Sequence, residues 1–306
     1  MTETTLDTLL INFDAEALWV LNVALAFVMF GIALEITTDD FKRLLKDPKP
    51  VLIGVFSQFL MLPAVTFLLV FAIEPLPSIA LGMFMVAACP GGNMSNFITH
   101  LSGGNTALSV SLTAIATLLA IVMTPFNLQL WGSFYEPTAA ILTEIAISPF
   151  EMTKLVALLL GIPLALGMGV NHYQPVLAKK MSKVLKVASL LFFVLLLFLA
   201  LYNNRDVFME YVTYVFWIVV IHNLVAFTTG FSLAKAFGLS QRNRRSITIE
   251  TGIQNSGLGL LLIFTFFDGL GGMALLAAFW GIWHLVSGLV LATFWGYRPL
   301  SKEELI

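Results

Sequence analysis

Charged residues are scarce in this chain of 306 residues. Asp, Glu, Lys and Arg together make up 11% of it, whereas a soluble globular domain carries about 25%. This scarcity excludes an ordinary water-soluble protein. Hydrophobic residues account for 58% of the chain, and long apolar runs recur from one end to the other. We therefore predict that most of the chain is surrounded by the lipid bilayer.

Cysteine is almost absent as well. Cys89 is the single cysteine, so the chain forms no internal disulfide, and no Cys/His cluster predicts a metal centre. The formal net charge of -2 gives no reason to expect a nucleic-acid partner. No Lys or Arg precedes the first apolar run, which therefore lacks the basic start of a secretory signal peptide. We predict that this first run is a permanent membrane span.

Nine apolar runs are each long enough to cross about 30 Å of hydrocarbon as a helix. We predict an all-α polytopic membrane protein with short loops and no separate soluble domain. The nine predicted spans cover residues 17–37, 50–73, 78–102, 105–131, 150–171, 183–202, 212–237, 246–268 and 273–297.

The basic residues predict the orientation of these spans. With nine spans, every Lys and Arg except Lys154 and Arg205 falls on the side that holds the C-terminus. Lys and Arg accumulate in cytoplasmic loops. We therefore predict a multi-pass protein of the cell inner (plasma) membrane, with its N-terminus outside and its C-terminus in the cytoplasm.

Two of the predicted spans contain residues that interrupt a helix. The third span has Pro90-Gly91-Gly92 at its middle, and the eighth span contains Gly252 within a polar run that includes Glu250. Proline removes a backbone donor and glycine destabilises helix. Unwound backbone at membrane depth needs protein cover or a wet cavity. We predict that both spans are interrupted helices.

The two interrupted spans occupy matching places in the chain. One is third in the series of spans one to four, and the other is third in spans six to nine, which run in the opposite direction. Such a pair in inverted repeats indicates a transporter binding site. The alternative is that glycine only allows close helix packing. That alternative accounts for Gly257 and Gly259 better than for Pro90 or Glu250.

Glu250 is the only acidic residue well inside a predicted span, and no Lys or Arg lies at the same depth. A buried charge in a membrane is functional by default, so the missing counter-charge predicts a bound cation. One carboxylate among neutral oxygens suits sodium better than a divalent ion. Each donor also has a structural explanation, since Ser and Thr often bond their own helix and Gln58 can join helices. The candidate neutral donors are Gln58, Ser95, Asn96, Ser109, Thr113 and Gln254.

Three motifs resemble those of the bile acid:sodium symporter family. They are ACPGGNMSNFITHLSGGNTALSVSLTAIATLLAIVMTP at 88–125, ITIETGIQNSGLG at 247–259 and GIWHLVSG at 281–288. The resemblance implies one transporter domain over 1–306 with inverted repeats and two interrupted, crossing helices. It implies a panel of about 17–37 and 150–202, and a core of about 50–131 and 212–297. By this resemblance, we expect nine spans that correspond to the second to tenth helices of the family's ten-helix pattern.

The family's sodium ligands are carried over motif by motif. The resemblance implies that Ser95, Asn96, Ser109, Thr113 and Glu250 bind one sodium ion. It implies a second ion at Gln58, Gln254, Glu250 and the carbonyls of Thr251 and Ile253. It places substrate at Asn93, Asn255 and His284, although the lone-histidine pattern by itself favours packing for His222 and His284. The family commonly has Thr at the position of Asn93 and Asn at that of Leu285, so we expect a different substrate.

We therefore predict a sodium-coupled symporter that imports an organic anion, bile-acid-like or a small carboxylate, by alternating access. We expect a monomer in the bilayer, with no enzymatic activity. Two alternatives stay open: a proton-coupled transporter that uses Glu250, and a non-transporting sensor of the same fold. A membrane enzyme such as a prenyl transferase is disfavoured, because Asp39-Asp40 has no second acidic motif to work with.

Overall fold

A computed structural model of the chain describes residues 6–10, 23, 26–39, 42, 46–92, 94–145, 148–203 and 205–297. Within these ranges the chain is helical apart from turns and short connections, and β-type pairing is limited to two isolated bridges. Five helices are long and apolar enough to cross a membrane, judged by length and composition alone. The predicted all-α polytopic class is confirmed.

Twelve helices are numbered here, besides the helical residues 38, 39, 42 and 46 between the first two. Residues 26–33 form α1 inside the first predicted span; of residues 17–25 the structure describes residue 23 only. The next helices are α2 (Pro48–Ile73), α3 (Pro77–Ala88), α4 (Met94–Leu101), α5 (Thr106–Phe134) and α6 (Glu136–Ile145). Segments Pro149–Val156, Ala157–Gly161 and Ile162–Tyr173 together form α7. The last five are α8 (Pro175–Asn203), α9 (Arg205–Ala236), α10 (Gln241–Gly252), α11 (Ser256–Phe266) and α12 (Gly271–Gly296).

Both predicted interruptions are present. The third span divides into α3 and α4, and the eighth divides into α10 and α11. In the eighth span the break is shorter than the polar run in the sequence, because Glu250 and Thr251 remain helical and α10 ends at Gly252. Glycine is a poor helix former, and its position explains why the helix stops there rather than at the carboxylate.

Helices α6, α8, α9 and α10 differ most from the predicted segments. Helices α8, α9 and α10 begin several residues before their predicted spans, because charged residues near their starts, such as Lys179, Arg205 and Arg242, lower the local hydropathy. Helix α6 lies where a plain connection was expected. Its first turn is anchored by Thr138, whose hydroxyl donates to the Gly132 carbonyl at 2.5 Å.

Helix α2 contains a π-helical turn at Ser57–Met61, directly before Pro63. A proline has no N–H and leaves the carbonyl four residues earlier without its helical donor. That carbonyl, of Phe59, accepts a hydrogen bond from Nδ2 of Asn127 on α5 at 3.0 Å. Ser57 and Gln58 on the same turn are completely buried. The turn therefore presents two polar side chains to the protein interior.

Helix α3 lies at the centre of the fold, and every residue from Ser78 to Ala88 is buried. It packs against α2, α5 and α12. The N-terminal segment 6–10 covers the beginnings of two of these helices. Asp7 accepts a hydrogen bond from the backbone N–H of Ser78 at 2.7 Å, and the Leu9 carbonyl accepts one from Gly271 at 2.7 Å. The starts of α3 and α12 thus receive the acceptors that helix N-termini need.

Candidate ion and substrate site

The two unwound segments cross and pair through main-chain atoms. Gly91 and Gln254 form an isolated antiparallel bridge. The N–H of Gly92 donates to the Ile253 carbonyl at 2.7 Å, and the N–H of Asn255 donates to the Pro90 carbonyl at 2.8 Å. Backbone groups that lost their helical partners therefore satisfy one another, as burial in a membrane protein requires.

The last helical carbonyl before each break is bound by a side chain from a neighbouring long helix. The Ala88 carbonyl accepts from the hydroxyl of Thr124 on α5 at 2.7 Å. The Gly252 carbonyl accepts from Nδ2 of Asn223 on α9 at 2.8 Å. Sequence reasoning assigned neither Thr124 nor Asn223 to the site. The available signal was a polar side chain inside an otherwise apolar helix.

Glu250 is completely buried on α10. Its Oε1 atom accepts three hydroxyl hydrogen bonds, from Ser95 at 2.5 Å, Ser109 at 2.5 Å and Thr113 at 3.0 Å. Oδ1 of Asn96 lies 3.3 Å from the Thr113 hydroxyl. Helices α4, α5 and α10 thus bring together all five residues predicted for the first ion. Ser109 and Thr113 share a helix face because they lie four residues apart.

The other carboxylate oxygen of Glu250 faces the π-helical turn of α2. Gln58 Nε2 lies 3.4 Å from Glu250 Oε2 and 3.2 Å from the Glu250 carbonyl. The hydroxyl of the next residue, Thr251, lies 2.8 Å from that of Ser57. Nε2 of Gln254 donates to the Thr251 carbonyl at 2.8 Å. The residues predicted for the second ion are therefore also neighbours.

Two amide oxygens at this place have no hydrogen-bond donor within the described residues. They are Oε1 of Gln58 and Oε1 of Gln254, and both side chains are buried. Buried polar atoms in native proteins nearly always have a partner. An amide oxygen can only accept, so the group that would satisfy these two atoms is either a donor or a cation. The donor set therefore fits a hard cation.

Gly91 leaves the space in which these groups meet. A Cβ atom at this position would lie 2.5 Å from Glu250 Oε2 and 2.9 Å from Gln58 Nε2. Any side chain there would displace the carboxylate or the amide. Glu250 forms no salt bridge within the described part of the chain, where the two ion pairs are exposed ones, Lys42–Asp39 and Lys154–Glu151.

The predicted substrate residues are less fully described. Asn93 lies outside the described residues. The Asn255 side chain caps α11 by accepting from the N–H of Leu258 at 3.1 Å. His284 on α12 is 5% exposed, and its Nδ1 has no partner in the described ranges. His222, predicted as a packing residue, lies 2.8 Å from the Thr66 hydroxyl, and its ring contacts Trp280.

Known proteins match most of this chain. The model of the sodium bile acid symporter family matches residues 22–211. "Uncharacterized sodium-dependent transporter YocS" of Bacillus subtilis (strain 168) is 32% identical, covering 95% of this chain and 88% of that protein. "Probable sodium/metabolite cotransporter BASS2, chloroplastic" of Oryza sativa subsp. japonica is 30% identical, covering 92% of this chain and 65% of that protein. "Ileal sodium/bile acid cotransporter" of Homo sapiens is 31% identical, covering 78% of this chain and 67% of that protein. The family and these relatives are transporters by name, and the chain belongs to the sodium bile acid symporter family.

Proposed function

We propose that this protein is a sodium-coupled symporter that imports an organic anion by alternating access. The observation that carries the proposal is the buried carboxylate of Glu250, which is surrounded by neutral oxygen donors where two helices are interrupted. The names of its relatives, which are sodium-dependent transporters and sodium cotransporters, support the choice of ion.

One sodium ion would bind among the hydroxyl groups around Glu250 Oε1. A hydroxyl that donates its proton to the carboxylate keeps its lone pairs for a cation. Ser95, Ser109 and Thr113 can therefore contact the carboxylate and the ion together, while Asn96 supplies an amide oxygen. The ion compensates the charge that would otherwise be buried without a partner, which is strongly unfavourable.

A second sodium ion would bind on the other side of the carboxylate. The unpartnered amide oxygens of Gln58 and Gln254 support this site. The carbonyls of Thr251 and Ile253 each accept one hydrogen bond and retain a second lone pair for a cation. Binding there would join α2 to the break between α10 and α11, so occupancy would stabilise the crossing.

The anion would bind beside the crossing, where α4 and α11 begin. The start of a helix carries a partial positive charge that attracts anions, and broken helices in transporters direct such ends at substrate groups. Asn93, Asn255 and His284 would contact the substrate. Relatives named for bile acid and for metabolite transport support an organic anion, either bile-acid-like or a small carboxylate.

Transport would proceed by movement between two groups of helices. The panel would contain residues 17–37 and 150–202, and the core would contain residues 50–131 and 212–297. The protein would be a monomer in the inner membrane, with its C-terminus on the cytoplasmic side. Two sodium ions with one monovalent anion carry one net positive charge inward. The membrane potential would then contribute about 2.3 kcal/mol per 100 mV.

Uptake into proteoliposomes tests the proposal. We expect labelled organic acids to accumulate under an inward sodium gradient, and to accumulate faster when the interior is made negative. Replacement of sodium by potassium should abolish uptake. Uptake that follows a pH gradient and ignores sodium would establish proton coupling through Glu250 instead. Sodium-dependent binding without flux would indicate a sensor that retains the transporter fold.

A further inference from the structure

The backbone carbonyls at the end of α10 all need hydrogen-bond donors, because this end lies inside the membrane. The last carbonyls of any helix lack intrahelical donors, and lipid offers none. Here each one is accounted for within the described residues. Main-chain N–H groups donate to three of them: Ile253 to the Ile249 carbonyl, Gly92 to the Ile253 carbonyl and Ser256 to the Gln254 carbonyl. Side-chain amides donate to the other three: Gln58 to the Glu250 carbonyl, Gln254 to the Thr251 carbonyl and Asn223 to the Gly252 carbonyl.

Among these donors, Asn223 differs from the rest. The others belong to the two crossing segments, to α10 or α11, or to the predicted sodium ligand Gln58. Asn223 lies on α9, is 1% exposed, and was not assigned to either ion. The carbonyl that it binds belongs to Gly252, which stands between Thr251 and Ile253, the two residues whose carbonyls are predicted sodium ligands.

The side chain of Asn223 is itself fixed in orientation. Its Oδ1 atom accepts a hydrogen bond from the hydroxyl of Ser287 on α12 at 2.5 Å. The amide therefore directs its NH2 group at the Gly252 carbonyl, and turning it over would place Oδ1 against that carbonyl oxygen and lose the bond. Asn223 and Ser287 together form a clasp that joins α9, α10 and α12.

Gly252 makes a second contact with α9. A Cβ atom at Gly252 would overlap the ring of Phe227, which lies one helical turn after Asn223. The amide of Asn223 thus binds the carbonyl of Gly252 while the Phe227 ring occupies the space at its Cα. This arrangement leaves the peptide between Gly252 and Ile253 little freedom to rotate.

We propose that Asn223 is a positioning residue for sodium, and that Ser287 acts through it. The inference rests on the proposed function, because it assumes that the Thr251 and Ile253 carbonyls bind the ion. Without the Asn223 amide, the Gly252 carbonyl loses its donor and the peptide unit turns to find another. The two flanking carbonyls turn with it, and the ion loses part of its preformed site.

Thermal unfolding of the purified full-length chain in detergent measures this effect. Sodium is raised at constant ionic strength against potassium, and the sodium concentration that gives half of the maximal stabilisation is recorded. We expect Asn223→Ala to raise that concentration about 10-fold, the usual size for one hydrogen bond. Ser287→Ala should raise it about 3-fold, since Asn223 remains but is less well oriented.

Coupling between the two residues distinguishes a clasp from two separate packing effects. The double variant Asn223→Ala with Ser287→Ala should match Asn223→Ala alone, because Ser287 acts through Asn223. Ser287→Thr keeps the hydroxyl and should restore the wild-type value. Thr228→Val is the matched control, since Thr228 lies on α9 and, among the described residues, its hydroxyl bonds to the carbonyl of Leu224 in its own helix.

Three results would count against the inference. If Asn223→Ala lowers stability in potassium but leaves the half-stabilising sodium concentration unchanged, Asn223 only joins helices and the inference is wrong. If Asn223→Ala does not fold, an unchanged value for Ser287→Ala leads to the same conclusion. If the wild-type chain is not stabilised by sodium at all, the proposed function itself fails, and the inference fails with it.

Discussion

The two interrupted helices reach the same crossing by different chemistry. The break after α3 is built from Pro90, Gly91 and Gly92 and contributes no charge. The break after α10 contains no proline and begins after Gly252, two residues beyond Glu250, whose carboxylate accepts hydroxyl hydrogen bonds from α4 and α5. One break therefore provides space and the other provides charge. The comparison teaches that the site depends on both, and that each contribution can be removed separately.

Removal of the charge should have the largest effect. Glu250→Gln keeps the shape of the side chain but removes the partner of the cation, and loss of one member of a buried charge pair costs about 3 kcal/mol or more. We expect stabilisation by sodium to disappear and sodium-dependent uptake to be lost. Glu35→Gln is the control, because Glu35 is an exposed carboxylate that accepts from Ser182 and lies outside the site. Full sodium-dependent uptake by Glu250→Gln would refute the role of this carboxylate.

Removal of the space should have the next largest effect. In Gly91→Ala the new methyl group would meet Glu250 Oε2 and Gln58 Nε2, and overpacking of this kind costs about 1–3 kcal/mol. We expect sodium to bind about 10-fold more weakly, as measured by thermal unfolding in a sodium titration.

Gly259→Ala is the matched control for Gly91→Ala. It lies on α11, where a Cβ atom would be 3.6 Å from Cys89 Sγ, an ordinary contact. If both variants weaken sodium binding equally, the effect comes from helix packing in general and not from the space beside Glu250.

The unpartnered amide oxygen of Gln254 allows a test that compares two salts. Gln254→Leu removes this oxygen and also the Nε2 atom that donates to the Thr251 carbonyl, and loss of that hydrogen bond lowers stability in either salt. We expect thermal stability to fall by about 1 kcal/mol in potassium and to fall further in sodium, because there the ion loses a ligand as well. Equal shifts in both salts would show that this oxygen does not bind the ion.

The smallest effect is expected at Thr124, which binds the carbonyl before the first break as Asn223 does before the second. Thr124→Val should lower stability by about 1 kcal/mol in sodium and in potassium alike. The reason is that Ala88 is not flanked by carbonyls predicted to bind the ion. A sodium-specific loss, measured by the same titration, would mean that the two breaks are more alike than the structure indicates.

The sequence predicted correctly those features in which a residue type determines the structure of its own segment. Pro90 with two glycines predicted one break, and Gly252 in a polar run predicted the other. The lone buried charge of Glu250 predicted neutral donors around it, and the family resemblance implied the same residues. These features depend on residues close together in the chain, or on a motif that stays intact, and both are visible in a single sequence.

The partners of freed carbonyls could not be predicted in this way. Asn127 binds the carbonyl that Pro63 releases, Thr124 binds Ala88, and Asn223 binds Gly252. In each case the sequence shows a polar side chain in an apolar helix, but the carbonyl it reaches lies on another helix. The π-helical turn of α2 was missed for the same reason, because its geometry involves both Pro63 and a side chain on α5.

The antiparallel pairing of Gly92 with Ile253 and of Asn255 with Pro90 uses main-chain atoms alone. Pairing of this kind does not depend on the identity of most side chains around it. Under the proposed function, substitutions at positions such as Asn93 or Leu285 would change which anion binds, while this main-chain pairing stays intact. Substrate preference could then diversify over evolution without a change in the residues proposed to bind sodium.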